Sequence, residues 1–161
     1  MGKRWLFWIV FIGCLVLDQW VKWYARAHFP ERGSATLIPN VLDFTLTYNK
    51  GIAFGLLQGA GVLLAPVAVA IAIGAALYSY RNPDESRLTH LAMALLASGA
   101  LGNLYDRLVH GKVTDMFWIR MFDFPVFNIA DACITVAAAI LILKWAREAF
   151  QSAPTAAASE E

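Results

Sequence analysis

Two aspartates toward the end of the sequence are the residues best suited to chemistry. Asp131 has apolar neighbours and no Lys or Arg at helical spacing, and Asp115 precedes the apolar stretch Met116-Phe117-Trp118. Burial favours the protonated form of a carboxyl group, and two carboxyl groups that share one proton can serve as base and acid in peptide hydrolysis. The two residues therefore fit an aspartic peptidase, but spacing alone leaves open whether their side chains meet.

Other polar residues embedded in apolar sequence have structural interpretations as well. Asp18 and Lys22 are four residues apart with the acid first, the favourable order for a helical ion pair. A structural pair is at least as well supported as a catalytic one. Asn103 and Arg107 would share a helix face, with Asp106 adjacent, and we favour a scaffolding role for them. Hydrogen bonds to a substrate backbone or to an oxygen gaining charge could come from three asparagines: Asn49, Asn103 and Asn128.

The composition indicates that these residues work in a membrane. Of the 161 residues, 59% are hydrophobic and 16% are charged, whereas soluble proteins carry about 25% charged residues. The net charge of +1 gives no long-range attraction to phosphate, so no nucleic-acid partner is expected. About 20 apolar residues cross a bilayer as a helix. Four such spans are predicted, at residues 5–24, 61–80, 88–105 and 124–145, and Asn82 and Pro83 are predicted to begin the third helix.

The order of the spans brings the polar residues together. In an alternating bundle, the end of the first span, the start of the second, the end of the third and the start of the fourth lie at one membrane boundary. The charged and amide residues named above occupy these four positions, and Asp115 lies in the loop between the last two. An even number of spans places both termini on one side, and the density of Lys and Arg slightly favours the cytoplasm.

A small β-element is predicted on the helix ends. Residues 42–49 alternate between apolar and polar side chains, the period of a half-buried strand, and the aromatic-rich residues 118–127 could supply partner strands. Residues 1–150 are predicted to form one four-helix membrane domain, and the Ala- and Ser-rich residues 151–161 a disordered tail. The predicted fold class is an all-α membrane protein with four transmembrane helices and a small β-element.

Neither metal nor disulfide chemistry is indicated. Cys14 and Cys133 lie far apart inside apolar runs, and His28, His90 and His110 are isolated from one another. No paired-His metal motif, phosphate-binding loop or nucleophile elbow is present in the sequence. We therefore expect no metal and no cofactor.

Five ordered motifs carry a resemblance to a known family. They are LDQWVK from Leu17, NKGIAF from Asn49, GALGNLYDR from Gly99, VTD from Val113 and FNIAD from Phe127. Each motif alone is weak, but the ordered set on a four-span chain is specific. Over about residues 5–147 the chain resembles lipoprotein signal peptidase, the type II signal peptidase of bacteria.

The resemblance implies an activity and a set of site residues. The family is an intramembrane aspartic endopeptidase without metal or cofactor that cuts the signal peptide from prolipoproteins just before a diacylglyceryl-modified Cys. By motif, Asp115 and Asp131 correspond to the catalytic pair. The residues at positions that shape the site, hold the pair or contact substrate are Asp18, Lys22, Asn49, Gly51, Asn103, Arg107, Asn128 and Ala130.

The resemblance also implies location and partners. We expect a bacterial inner-membrane protein with both termini in the cytoplasm and the active site near the periplasmic face, under a cradle of β-structure. The expected partners are lipid-modified prolipoprotein signal peptides, membrane lipids and inhibitors of the globomycin type, and we expect a monomer. Ser98, Ile52 and the stretch between Asp115 and Asn128 depart from the family pattern, which affects substrate fit more than the catalytic pair.

Two other functions are compatible with parts of the sequence. A small membrane transporter or proton-relay protein also uses buried carboxyl groups; it would need a file of polar residues reaching the other side of the membrane. The chain could instead be a lipoprotein itself, because Phe11-Ile12-Gly13-Cys14 faintly resembles a lipidation box. Chance similarity is the stronger interpretation, since apolar residues and three further spans follow Cys14.

Overall fold

A computed structural model describes residues 4–51, 64–122 and 124–152 of the chain. In chain order its elements are α1 (Arg4–His28), β1 (Ser34–Ile38), β2 (Leu42–Asn49), α2 (Ala65–Arg81), α3 (Arg87–His110), β3 (Val113–Ile119) and α4 (Ile129–Ser152). Three helices, α1, α3 and α4, are long and apolar enough to cross a membrane, and α2 is an apolar helix of 17 residues. The predicted all-α membrane fold with a small β-element is confirmed. The predicted start of the second span, at residue 61, lies outside the described residues.

The helix boundaries follow local capping, and two differ from the predicted ones. α3 begins after Ser86, whose side chain accepts the backbone N–H of Thr89 at 3.0 Å. The prediction that Asn82 begins this helix is wrong: Asn82 ends α2, and its backbone N–H donates to the carbonyl oxygen of Tyr78. α3 ends at His110 and is capped by Gly111, which has the positive φ of 68° that glycine adopts readily.

α4 begins five residues later than predicted and ends beyond the predicted span. Residues 124–128 are not helical, because Phe127 forms an antiparallel bridge with Phe117 and exchanges backbone hydrogen bonds with it. At its other end α4 continues to Ser152, so it includes the first two residues of the predicted tail. The remainder of that tail lies outside the described residues.

The β-element is an antiparallel sheet of three strands in the order β1-β2-β3. The predicted strand at residues 42–49 is confirmed as β2. Its polar residues Asp43 and Thr45 are buried along with Phe44 and Leu46, because β2 is the central strand and its register shifts between Phe44 and Thr47. β3 begins well before the predicted partner segment at residues 118–127, so Asp115 lies in a strand and not in a loop. β1 was not predicted.

Close helix packing places the polar ends of the helices against one another. α3 is the central helix, with a buried face of small residues that contacts α1, α2 and α4. A Cβ atom on Gly102 would lie 2.6 Å from Oδ2 of Asp18, and one on Gly99 would meet the backbone oxygen of Ala130. Only glycine allows these approaches, as membrane helix packing often requires. We call the end of the bundle that carries the sheet the sheet end.

Candidate active site

Two carboxyl groups face one cavity at the sheet end. Asp115 is in β3 and Asp131 is in the first turn of α4, and both line a cavity of about 1010 Å³. The polar part of the lining includes Thr47, Tyr48, Asn49, Lys50, Asn103 and Arg107. The apolar part, from the helices, includes Val67, Ala68, Ile71, Ala100 and Ile134. The cavity therefore joins a polar region to an apolar one.

Asn128 links the two carboxyl groups and begins the helix that carries one of them. Its Nδ2 atom donates to Oδ1 of Asp115 at 2.6 Å. Its Oδ1 atom accepts the backbone N–H of Asp131 at 2.9 Å, and its own backbone N–H donates to Oδ2 of Asp131 at 3.2 Å. This reciprocal pair is a capping box, in which the cap residue and the third helical residue satisfy each other's backbone N–H groups. The N-x-x-D spacing that starts α4 thus also positions the pair.

Asp131 accepts hydrogen bonds on both of its oxygens. Oδ2 accepts the backbone N–H of Asn128, and Oδ1 accepts Nδ2 of Asn103 at 2.7 Å. The carboxyl group also lies in the first turn of α4, where the partial positive charge of a helix N-terminus favours an anion. These contacts suit a charged carboxylate.

Asp115 is in a different environment. The residue is 3% exposed and sits in the buried part of β3. Burial, and next the negative charge of Asp131, raise the pKa of Asp115 to about 7, against the smaller opposing effect of the hydrogen bond from Asn128. The group can therefore hold a proton near neutral pH and release it within the range in which enzymes work.

A buried ion cluster supports the site from α1 and α3. Nζ of Lys22, a fully buried residue, lies 2.9 Å from Oδ2 of Asp18 and 3.6 Å from Oδ2 of Asp106. It also donates to Oδ1 of Asn103 at 3.0 Å. Asp18 in turn accepts the backbone N–H of Ala130 at 2.9 Å, next to Asp131. The cluster therefore touches both Asn103 and the first turn of α4.

Asp106 has a specific position in this cluster that the sequence pattern did not reveal. It is fully buried, and its Oδ2 accepts the backbone N–H of Thr114 at 2.8 Å, directly before Asp115. Arg26 donates to Oδ1 of Asp106 at 3.4 Å and to the hydroxyl of Thr114 at 2.8 Å. Arg26 is four residues after Lys22, so its helical spacing was the signal that could have added it to the site. A link between Asp106 and Thr114 needs the strand placement and could not be predicted.

The remaining predicted residues close the site on the β2 side. Gly51 donates its backbone N–H to Oδ1 of Asn49 at 2.9 Å. Its carbonyl oxygen accepts NH2 of Arg107 at 3.3 Å, while NH1 of Arg107 donates to the carbonyl of Asn103 at 3.3 Å. All ten predicted site residues are thus brought together, and their roles in catalysis stay predictions. Ile52 lies outside the described residues, and Gln19, which donates to Asp18 and Gly102, was not predicted.

Within residues 4–51, 64–122 and 124–152, no group of three or more His, Cys, Asp and Glu side chains is arranged to hold a metal ion. Cys14 and Cys133 are free thiols. The expectation that the chain needs no metal or cofactor stays a prediction.

The apolar helices and the paired carboxyl groups define a multi-pass membrane protein with an acidic site at one end of its bundle. Comparison with known proteins makes this class more specific. The sequence model described as "Signal peptidase (SPase) II" matches residues 10–147. The chain therefore belongs to the signal peptidase II family, whose members are membrane peptidases of the bacterial inner membrane.

Individual relatives agree with this assignment. A lipoprotein signal peptidase of Halalkalibacterium halodurans is 36% identical over 145 residues, which cover 89% of this chain and 93% of the relative. One from Neisseria meningitidis serogroup C is 38% identical over 142 residues, covering 85% and 87%. A solved bacterial membrane enzyme superposes with a TM-score of 0.85 at 26% identity, covering 92% of both chains, and a second with a TM-score of 0.77 at 28% identity, covering 86% and 91%.

Proposed function

We propose that this chain is an intramembrane aspartic endopeptidase that removes the signal peptide from diacylglyceryl-modified prolipoproteins, cutting just before the lipidated Cys. The observation that carries the proposal is the placement of Asp115 and Asp131 on one cavity, where the side-chain amide of Asn128 donates to Asp115 and its backbone N–H donates to Asp131. The relatives named lipoprotein signal peptidase supply the substrate class. The cavity suits such a substrate, because its apolar part can hold a hydrophobic peptide or acyl chain and its polar part can hold the scissile bond.

The reaction needs two proton transfers that a pair of carboxyl groups can perform. One carboxylate takes a proton from water as its oxygen bonds to the peptide carbonyl carbon, and the protonated carboxyl gives its proton to the carbonyl oxygen. The tetrahedral intermediate then collapses: the C–N bond breaks, the nitrogen takes the first proton, and one hydroxyl returns a proton to the second carboxyl. Asn49 and Arg107, which line the same cavity, can hold the peptide during these steps.

The membrane orientation follows from the same proposal. The sheet end faces the periplasm, where the prolipoprotein is cut, and both termini lie in the cytoplasm. Arg4, Arg81 and Arg87 lie at the other end of the described helices, and the slightly higher density of Lys and Arg there agrees with the cytoplasmic side.

The structure does not favour the transporter alternative. Polar groups at the end away from the sheet include Ser79 and His90, which form a 2.6 Å hydrogen bond. Between them and the sheet-end cluster lies an apolar core of Phe7, Ala72, Ala75, Ala94 and Ala97. The described residues form no continuous polar file through this core.

A cleavage assay with purified protein and a diacylglyceryl-modified prolipoprotein tests the proposal. We expect the signal peptide to be released before the modified Cys, and we expect globomycin to stop the reaction. Asp115→Asn and Asp131→Asn should each fold and lose at least about 10²-fold in activity, the usual contribution of a general acid or base. Glu85→Gln, on the opposite end, is the matched control and should keep its activity. Substantial processing by either aspartate variant would remove the pair from the mechanism.

A further inference from the structure

Lys22 fixes the orientation of the Asn103 side-chain amide next to the carboxyl pair. An ammonium group only donates, so the Asn103 atom that lies 3.0 Å from Nζ of Lys22 must be the acceptor, Oδ1. The other atom of that amide, Nδ2, must then face Asp131, and it does so at 2.7 Å. A rotation of this amide by half a turn would place an NH2 group against the ammonium and an oxygen against the carboxylate.

The same constraint reaches Asn128. Oδ1 of Asn103 can only accept, so Asn128 must turn Nδ2 toward it, at 3.1 Å. That Nδ2 also donates to Asp115 at 2.6 Å, and Oδ1 of Asn128 is left facing the backbone N–H of Asp131. One buried ammonium thereby orders two amides, and these two amides contact both carboxyl groups.

The ordered amides treat the two carboxyl groups unequally. Each oxygen of Asp131 accepts an N–H group, at the N-terminus of a helix. Asp115 accepts one side-chain N–H on Oδ1, and none of the described residues donates to its Oδ2. A carboxyl group needs one free oxygen to carry its proton, so the geometry makes Asp115 the better proton carrier, and its pKa of about 7 agrees with this.

The buried charges behind the pair add no net charge to the site. Two acids and two bases of α1 and α3 form a cluster of zero net charge: Asp18, Lys22, Arg26 and Asp106. On the cavity side, Arg107 and Lys50 line the same cavity as the pair, and Lys112 lies over the ring of Tyr48 at 3.2 Å. The unequal hydrogen bonding of the two carboxyl groups, and not a net charge of this cluster, therefore distinguishes them.

We propose that Lys22, acting through Asn103, divides the roles in the pair: Asp131 is the carboxylate that takes the proton from water, and Asp115 carries the proton that passes to the peptide oxygen. Lys22 and Asn103 are positioning residues in this account. The inference rests on the proposed peptidase function, and its tests are chosen so that the two can fail separately.

The two Asn variants give the first test. In Asp115→Asn the amide NH2 group replaces the acid proton as a hydrogen-bond donor, so part of the carbonyl polarisation is kept. We expect a loss of about 10²-fold in kcat/KM and a pH profile without the alkaline limb. Asp131→Asn has no base, and we expect a loss of about 10⁴-fold at every pH. The reverse order would overturn the division of roles but keep the pair, and near-normal activity of both variants would remove the pair from the mechanism. Failure of the wild-type enzyme to release the signal peptide would overturn the peptidase proposal itself.

The second test addresses the positioning residues. Lys22→Met removes the donor that orders Asn103, and Asn103→Ser removes the donor to Asp131 while it leaves the ion cluster intact. In both variants the acidic limb of the kcat/KM profile should move to higher pH by about one unit. Gln19→Leu is the control, because Gln19 contacts Asp18 and Gly102 but not Asn103, and its acidic limb should stay in place.

Thermal unfolding distinguishes variants that lose activity because they do not fold from variants that lose the positioning of the carboxyl pair. Lys22→Met leaves Asp18 without its cation and Asp106 with Arg26 only, so a loss of folded protein is an acceptable result for this variant alone. Asn103→Ser then decides the question. A folded Asn103→Ser enzyme with reduced kcat and an unmoved acidic limb would show that Asn103 supports the structure only, and it would overturn the proposal.

Discussion

The two ends of the helix bundle carry polar clusters of similar composition in opposite surroundings. At the sheet end, Lys22 and Asp106 are completely buried. At the opposite end, Lys144 lies 2.8 Å from Glu85, with 28% and 27% of the two side chains exposed. The first cluster contacts a pair of acids, and the second ties α4 to the start of α3 through Thr89.

The difference shows what burial adds to a cluster of charges. At the exposed end each charge can be solvated, so losing a partner has a small cost. At the sheet end every charge depends on its partners, and two carboxyl groups share one cavity in addition. Burial, and next the negative charge of Asp131, raise the pKa of Asp115 to about 7, whereas hydrogen bonds from Lys144 and Tyr78 lower the pKa of Glu85 to about 2. The two ends therefore shift the pKa of a carboxyl group in opposite directions, and only the shift at the sheet end suits the proposed proton transfer.

Among the substitutions that test this contrast, Asp106→Ala is expected to lower the stability most. It removes the acidic partner of Arg26 and one of the two acidic partners of Lys22, and it leaves the backbone N–H of Thr114 unsatisfied. We expect the free energy of unfolding to fall by about 3–5 kcal/mol, as for other broken buried ion pairs, and the cleavage activity to fall with it because Thr114 precedes Asp115. Glu85→Ala in the exposed cluster is the matched control, with an expected loss of at most about 1 kcal/mol. Equal losses in the two variants, measured by thermal unfolding, would contradict the contrast between the two ends.

Asp18→Asn should have the next largest effect. Asp18 loses its charge toward Lys22 while it can keep the hydrogen bond to the backbone of Ala130. We expect a loss of about 1.5–3 kcal/mol in stability, the range for hydrogen bonds to charged groups, together with reduced activity. Unchanged melting combined with complete inactivity would show that Asp18 acts in catalysis and not as a scaffold.

Asp115→Asn should raise stability at alkaline pH although it removes activity. The pKa of Asp115 is about 7 in the folded protein against an ordinary value of 3.8, so the native state binds a proton that the unfolded state releases. Wild-type stability is therefore greatest below about pH 4 with respect to this group, and it declines as the pH rises to about 7. The uncharged variant avoids this decline, and we expect its unfolding free energy to exceed that of the wild type by about 1–2 kcal/mol at pH 8. Melting curves of the variant and the wild type at pH 5 and pH 8 measure this difference in stability. If the difference does not grow with pH, the raised pKa of Asp115 is contradicted.

The parts of the fold and of the site that could be predicted from the sequence are those set by residues close together in the chain. Spans and the strand β2 follow from hydropathy and alternation, and Asp18 and Lys22 pair at the predicted helical spacing. The convergence of the polar residues followed from the order of the spans. The extended conformation of the residues before α4 could not be predicted, because their bridge to Phe117 joins segments that lack a common periodic pattern. The contact of Asp106 with Thr114 likewise depends on where β3 starts.

The smallest expected effect is that of Lys144→Met in the exposed cluster. Its removal takes a hydrogen bond and a charge from Glu85 and a hydrogen bond from Thr89. Since both charged side chains are partly exposed, we expect a loss of at most about 1 kcal/mol at neutral pH, reduced further by salt. The lowered pKa of Glu85 stabilises the protein above its ordinary value of 4.5, and this stabilisation is lost as the pH falls from about 4.5 to about 2. Melting temperatures at pH 7 and pH 3 should therefore differ less in Lys144→Met than in the wild type, with cleavage activity unchanged. A loss comparable to that of Asp106→Ala would show that partial exposure does not weaken this cluster.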